Sequence, residues 1–201
     1  MLNNDTSLEF ELKYKNLGYK YIVGVDEVGA GCLAGPLVVA AVYLPDGFDI
    51  TGIRDSKKLT PKKREEIASY IIDSCEFSIV EIDEKIIDEI NIRNARELGM
   101  RHVINQMEKA DLALIDGNFV PTFIDIQAIP IINGDNISAS IAAASIIAKV
   151  HRDSLMVIFH KEYPMYGWNR NKGYGTKEHR DALKKYGPSP LHRKSFKGVI
   201  Q

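Results

Sequence analysis

Apolar positions along the chain fall into short runs separated by glycine- and proline-marked breaks. Tyr19 to Asp26 (YKYIVGVD) is β-branched and aromatic and predicts a strand, and the glycines of Glu27-Val28-Gly29-Ala30-Gly31 predict a turn after it. Pro36 to Leu44 is almost continuously apolar, as in a strand covered on both faces. Thr60-Pro61 reads as a cap followed by a first helical residue, opening a helix that runs to about Asp73. Cys75 to Ile82 alternates and predicts a third strand. Ile86, Ile87 and Ile90 share one helical face, and Asn91 to Met107 predicts a longer helix. Asp111–Asp116 and Ala128–Ile132 read as short strands. Ile137 to about Tyr163 begins as an alanine- and isoleucine-rich helix whose small residues allow close approach to a sheet. A loop over 167–175, a basic helix over 176–186 and an irregular tail follow, while residues 1–18 read as a short helix or extended arm. Strands alternating with helices predict an α/β fold with a mixed sheet.

The 201 residues suit one domain, or one domain with a small appendage, and 45% hydrophobic against 26% charged residues is ordinary for a globular chain. The N-terminus lacks a basic start followed by an apolar run, and no apolar stretch is long enough to span a bilayer. Cys32 and Cys75 form no CxxC pair, so a disulfide framework or cysteine-ligated zinc is not expected, and a reducing cytoplasm fits.

The carboxylates carry the candidate chemistry. Asp26-Glu27 closes an apolar strand before a glycine turn, where adjacent charges repel unless a cation neutralises them. Asp116 ends LALID before Gly117, and Asp135 follows Gly134 just before the alanine-rich helix. Singly, Asp116 is ordinary turn chemistry and Asp135 an ordinary helix cap. Together, at strand ends where α/β sites gather, they make an oxygen-ligand site suited to Mg²⁺ or Mn²⁺.

Six ordered blocks resemble the signature of type 2 ribonuclease H, the bacterial ribonuclease HII family. They are GVDEVGAG with LAGP (24–36), DSKKL (55–59), IDG (115–117), GD (134–135) with SIAAASIIAKVHRD (140–153), KGYGT (172–176) and LHR (191–193). The resemblance implies a ribonuclease H-like α/β fold: a mixed five-stranded sheet flanked by helices, with a C-terminal helical extension. On that reading residues 1–163 form the catalytic domain, 1–18 its N-terminal arm, and 164–201 a basic substrate-binding extension packed with it. It implies two-metal hydrolysis, with Mg²⁺ or Mn²⁺, of RNA in RNA–DNA hybrids and 5′ of ribonucleotides embedded in duplex DNA, leaving 3′-hydroxyl and 5′-phosphate ends. Matched by motif, the metal-binding catalytic acids are Asp26, Glu27, Asp116 and Asp135. Gly29, Ala30, Gly31 and Tyr174 meet the ribonucleotide, and Ser56 and Lys57 contact phosphates. Lys58, Lys149 and His192 are weaker candidates, and Asp153 is read as a structural ion-pair partner outside the catalytic set. A monomer without a clamp-binding tail is expected.

Two positions depart from the family pattern. Ala30 stands where the turn is usually Gly-Arg-Gly, and Asn133 where a lysine usually precedes Gly-Asp. Both remove a positive charge near a phosphate path, so an active enzyme with weaker substrate binding or altered discrimination is expected, with a silent hybrid-binding protein as a rival. The carboxylate cluster by itself also leaves another nuclease of the same fold as a rival. The net charge of −1 itself argues against a uniformly basic nucleic-acid binder, but it divides: residues 1–148 hold 14 basic and 23 acidic residues, a net −9, and residues 149–201 hold 12 and 4, a net +8. The basic part, including Arg170, Lys172, Lys177, Lys184, Lys185, Arg193 and Lys194, is expected to grip a phosphate backbone.

Overall fold

The structure is a computed structural model and describes residues 6–54 and 56–199. Residues 1–5 of the expected arm, Asp55 of the DSKKL block and the last two residues of the expected extension lie outside the described residues. After helix α1 (Glu9–Asn16), strands β1 (Ile22–Val28), β2 (Leu37–Tyr43) and β3 (Glu76–Ile82) form an antiparallel meander, with helix α2 (Pro61–Ser74) between β2 and β3. Helix α3 (Glu84–Gln106) leads to β4 (Leu112–Asp116), which pairs parallel with β1, and β5 (Gln127–Ile131) adds parallel to β4. The five-stranded sheet is therefore mixed, in the order β3-β2-β1-β4-β5. Helix α4 (Ala139–Glu162), the short α5 (Trp168–Asn171) and α6 (Lys177–Tyr186) complete the chain. No described helix is long and apolar enough to cross a membrane.

Strand alternation divides the core in two. Val38, Ala40 and Val42 of β2 pack with the alanines of α4, while Val23 and Val25 of β1 and Val39 and Ala41 of β2 pack with Ala95, Met100 and Val103 of α3. On the α4 side the approach is very close. A Cβ at Gly24 would collide with the Ser140 carbonyl carbon and the Ile141 nitrogen, so only glycine fits beneath this helix. Ser138 caps α4, its Oγ accepting from Ile141 N at 3.3 Å. Asp135 lies upstream of that cap, in a 3₁₀ turn over Gly134–Asn136, so its reading as a helix cap does not hold.

The two helices expected over 86–107 run end to end through a kink at Asn91, whose φ is 66°. Its Oδ1 accepts from Arg93 N and Asn94 N, so Asn91 caps the second half from within the run. Strand β1 starts later than expected because the Lys20 and Tyr21 amides donate to the Asp111 carboxylate rather than to a ladder. It also continues past Asp26, with Asp26, Glu27 and Val28 paired opposite Ala40, Val39 and Val38.

Candidate active site

Continuation of β1 through the acidic pair changes how those charges meet. Successive strand residues face opposite ways, so Asp26 turns toward α4 and Glu27 toward α3. Asp26 is buried and its Oδ1 accepts from the Glu27 amide at 2.7 Å, with the Ser145 hydroxyl of α4 also donating to it. Burial raises its pKa well above the ordinary carboxylate value, and the charges of Glu27 and Asp116 add to the rise. Glu27 is likewise raised by burial, opposed by Arg96 of α3, whose Nε lies 2.7 Å from Oε1. That contact is an ion pair rather than an aligned hydrogen bond, and Glu27 Oε2 is buried with no hydrogen-bond partner among the described residues. The Arg96 guanidinium also lies over the Phe119 ring, 5.0 Å from its centroid.

Asp116, at the end of β4, accepts from Gly134 N at 2.7 Å, which ties the strand end to the turn holding Asp135. Its pKa is raised by burial first and by Asp135 second. Asp135 is paired with Lys57 Nζ at 3.2 Å and accepts from Asn136 Nδ2 at 2.8 Å. Asn133 holds a left-handed φ of 55°, a conformation asparagine tolerates better than lysine.

These four acids line one cleft of about 590 Å³ together with Gly29, Ala30, Gly31, Ser56, Lys57 and Tyr174, each expected from the sequence. Ser145 and Lys149 of α4 line it too. Each acid is engaged locally, and among the described residues no three acidic, histidine or cysteine side chains form a group that holds an ion as they stand. Ser56 is buried and shares a 3.1 Å hydrogen bond with Ser145. Lys58 reaches Asn136 Oδ1 at 2.7 Å. Asp153 pairs with Lys149 at 2.7 Å and does not line the cleft, as its structural reading expects.

The glycine turn is held from behind by two fully buried arginines. Arg152 of α4 donates to the carbonyls of Pro36, Lys172 and Ala34 at 2.8–3.0 Å. Arg193 donates to Gly29, Ala30 and Gly35 at 2.7–3.1 Å. Burial lowers the Arg193 pKa to about 10. Arg193 therefore does not grip phosphate; its donors are spent on backbone carbonyls, and that expectation is corrected. At Gly29, with φ of 100°, a Cβ would run into the Arg152 guanidinium.

The ribonuclease HII family model matches residues 23–199. A ribonuclease HII from Caldicellulosiruptor bescii is 48% identical over 195 residues, covering 96% of this chain and 94% of the relative. This chain belongs to the ribonuclease HII family. Among solved structures, the ribonuclease H2 of Pyrococcus horikoshii superposes with a TM-score of 0.78 at 25% identity, covering 90% of this chain and 95% of that one. Bst-RNase HIII, solved in complex with Mn²⁺, shares the fold with a TM-score of 0.76 at 20% identity, covering 94% of this chain and 70% of that one. As a ribonuclease HII the chain is an endoribonuclease of RNA–DNA hybrids.

Ribonuclease HII motifs led directly to the acids and the turn, but three supporting residues were not assigned from sequence. Ser145 and Arg152 sit inside the SIAAASIIAKVHRD block, at spacings that put both on the helix face toward β1 and its turn. Arg96 carried no local signal, since its partner Glu27 is 69 positions earlier.

Proposed function

We propose that Asp26, Glu27, Asp116 and Asp135 bind divalent cations, Mg²⁺ or Mn²⁺, and that the chain cuts on the 5′ side of ribonucleotides embedded in duplex DNA as well as within hybrids. The observation that carries this reading is the lining of one cleft by four carboxylates, three of them held above their ordinary pKa by burial and one another. Such a site is short of positive charge, and the orphaned Glu27 Oε2 is an oxygen awaiting a partner. With neither histidine nor cysteine among the cleft's lining residues, the donor set suits a hard cation. Bound there, the ions would supply the Lewis-acid charge that activates water and offsets charge on the leaving 3′-oxygen.

The chain's own residues handle the rest. The backbone of Gly29-Ala30-Gly31 and the Tyr174 ring face the ribonucleotide, whose 2′-hydroxyl separates RNA from DNA. Lys57 and Lys149 line the cleft with the acids, where they would meet the substrate's phosphates. Residues 164–201 act as the duplex-gripping extension, through exposed Arg180, Lys184, Lys185, Lys194 and Lys197.

A DNA duplex carrying one ribonucleotide, incubated with Mg²⁺ or Mn²⁺, tests the proposal. Cleavage 5′ of the ribonucleotide that falls to background in Asp116→Asn is the expected result. Tight binding without metal-dependent cleavage would leave a hybrid-binding protein, and cutting of an all-DNA duplex would overturn the specificity.

A further inference from the structure

Behind Tyr174 lies a buried pair of histidines that hydrolysis does not use. Their hydrogen bonds admit a single arrangement of protons. Ser189 N–H donates to His192 Nδ1 at 2.9 Å, so that nitrogen is an acceptor and the proton sits on Nε2. His192 Nε2 faces His179 Nε2 at 3.0 Å, and Trp168 Nε1–H donates to the same His179 atom at 3.1 Å. His179 Nε2 therefore accepts twice, its proton sits on Nδ1, and Nδ1 donates to the Tyr174 carbonyl at 3.0 Å. A polar chain thus runs from the Ser189 amide through two neutral imidazoles to the backbone of the cleft tyrosine. Burial lowers both histidine pKa values, His192 to about 4, which keeps the chain neutral.

Packing alone would be met more cheaply by apolar side chains, because each buried imidazole must satisfy two ring nitrogens. The same tyrosine is held at its far end, where its hydroxyl meets the Cys32 thiol in the glycine turn. We infer that His179 and His192 are positioning residues that fix the height and tilt of Tyr174 over the ribonucleotide. The inference rests on the reading of Tyr174 as a ribonucleotide contact.

The test separates kcat from KM on a duplex carrying one ribonucleotide. His179→Leu, which keeps volume and removes the donor, is expected to lower kcat about tenfold with KM within twofold. His179→Asn, which returns an N–H near the Nδ1 position, is expected to recover at least half of the loss, and His192→Gln likewise against His192→Leu. Wild-type kinetics in His179→Leu, alongside a tenfold loss in Tyr174→Ala, would overturn the inference; no loss in Tyr174→Ala would instead overturn the underlying reading of the tyrosine. Should the leucine variants fail to fold, ¹⁵N spectra of the wild-type imidazoles decide. A neutral Nδ1–H tautomer at His179 and Nε2–H at His192 are expected, and an Nε2–H or doubly protonated His179 would refute the inference.

Discussion

Asp26 shows how one buried carboxylate couples the site to stability. Its folded pKa lies above its unfolded value, so ionisation near neutral pH works against the metal-free fold. The associated stability is complete below the ordinary carboxylate range and is lost as pH rises through the raised folded pKa. Asp26→Asn removes that cost at the same volume. We expect the metal-free Tm of this variant to exceed that of the native chain by a few degrees at pH 8, the gain vanishing as pH falls toward about 4, read by thermal melts across pH. Cleavage is expected to be lost in the same variant, as the hybrid-cleavage assay would show. At position 30 a methyl group, rather than a charged side chain, borders the cleft. Ala30→Arg is expected to strengthen duplex binding severalfold and steepen its salt dependence by about one counterion, measured by fluorescence anisotropy at several salt concentrations. Unchanged affinity and salt slope would mean that the turn works through its backbone alone.

Helix α4 is the element on which site and core depend together. One of its faces packs into the sheet through alanines, while Ser145, Lys149 and Arg152 reach the cleft and its turn. Gly24→Ala should therefore damage both, because the added methyl collides with backbone that cannot step aside. A loss of about 1–3 kcal/mol or more in urea unfolding is expected, with activity falling further than stability alone explains. The helix was legible in sequence from its run of small residues and its length. The kink of α3 was legible only as a break between two periodic stretches, since an asparagine that caps from inside a continuous run resembles a surface residue until its amide partners are known. Strand β1 misled for a related reason: an acidic pair before glycines reads as a strand end, yet ladder pairing with β2 carries the strand through it and sends the two side chains to opposite faces.

Across the whole molecule, charge is sorted rather than balanced. Four acids line the cleft, and the C-terminal segment carries exposed cations. Saturating Mg²⁺ or Mn²⁺ is expected to raise the Tm by binding only the folded chain, and Asp116→Asn to diminish that rise, as differential scanning fluorimetry would show. No rise in the native chain would count against the acids as ligands. The ordered motifs made the four acids, the glycine turn and Tyr174 legible before any coordinates. Composition could not reveal that Arg193, in a basic stretch, faces inward, because burial of an arginine depends on carbonyls contributed from elsewhere in the fold. Arg96 was hidden for the same reason: pairing across a sheet face leaves no trace in local sequence.

The reach of Arg193 back to Gly35, 158 positions earlier, also sets an order of events. The five strands and α4 all precede residue 193, so they leave the ribosome before the arginine does. Until then the glycine turn lacks its Arg193 contacts. The last residues of the chain thus complete the rear support of a turn that lies near its start.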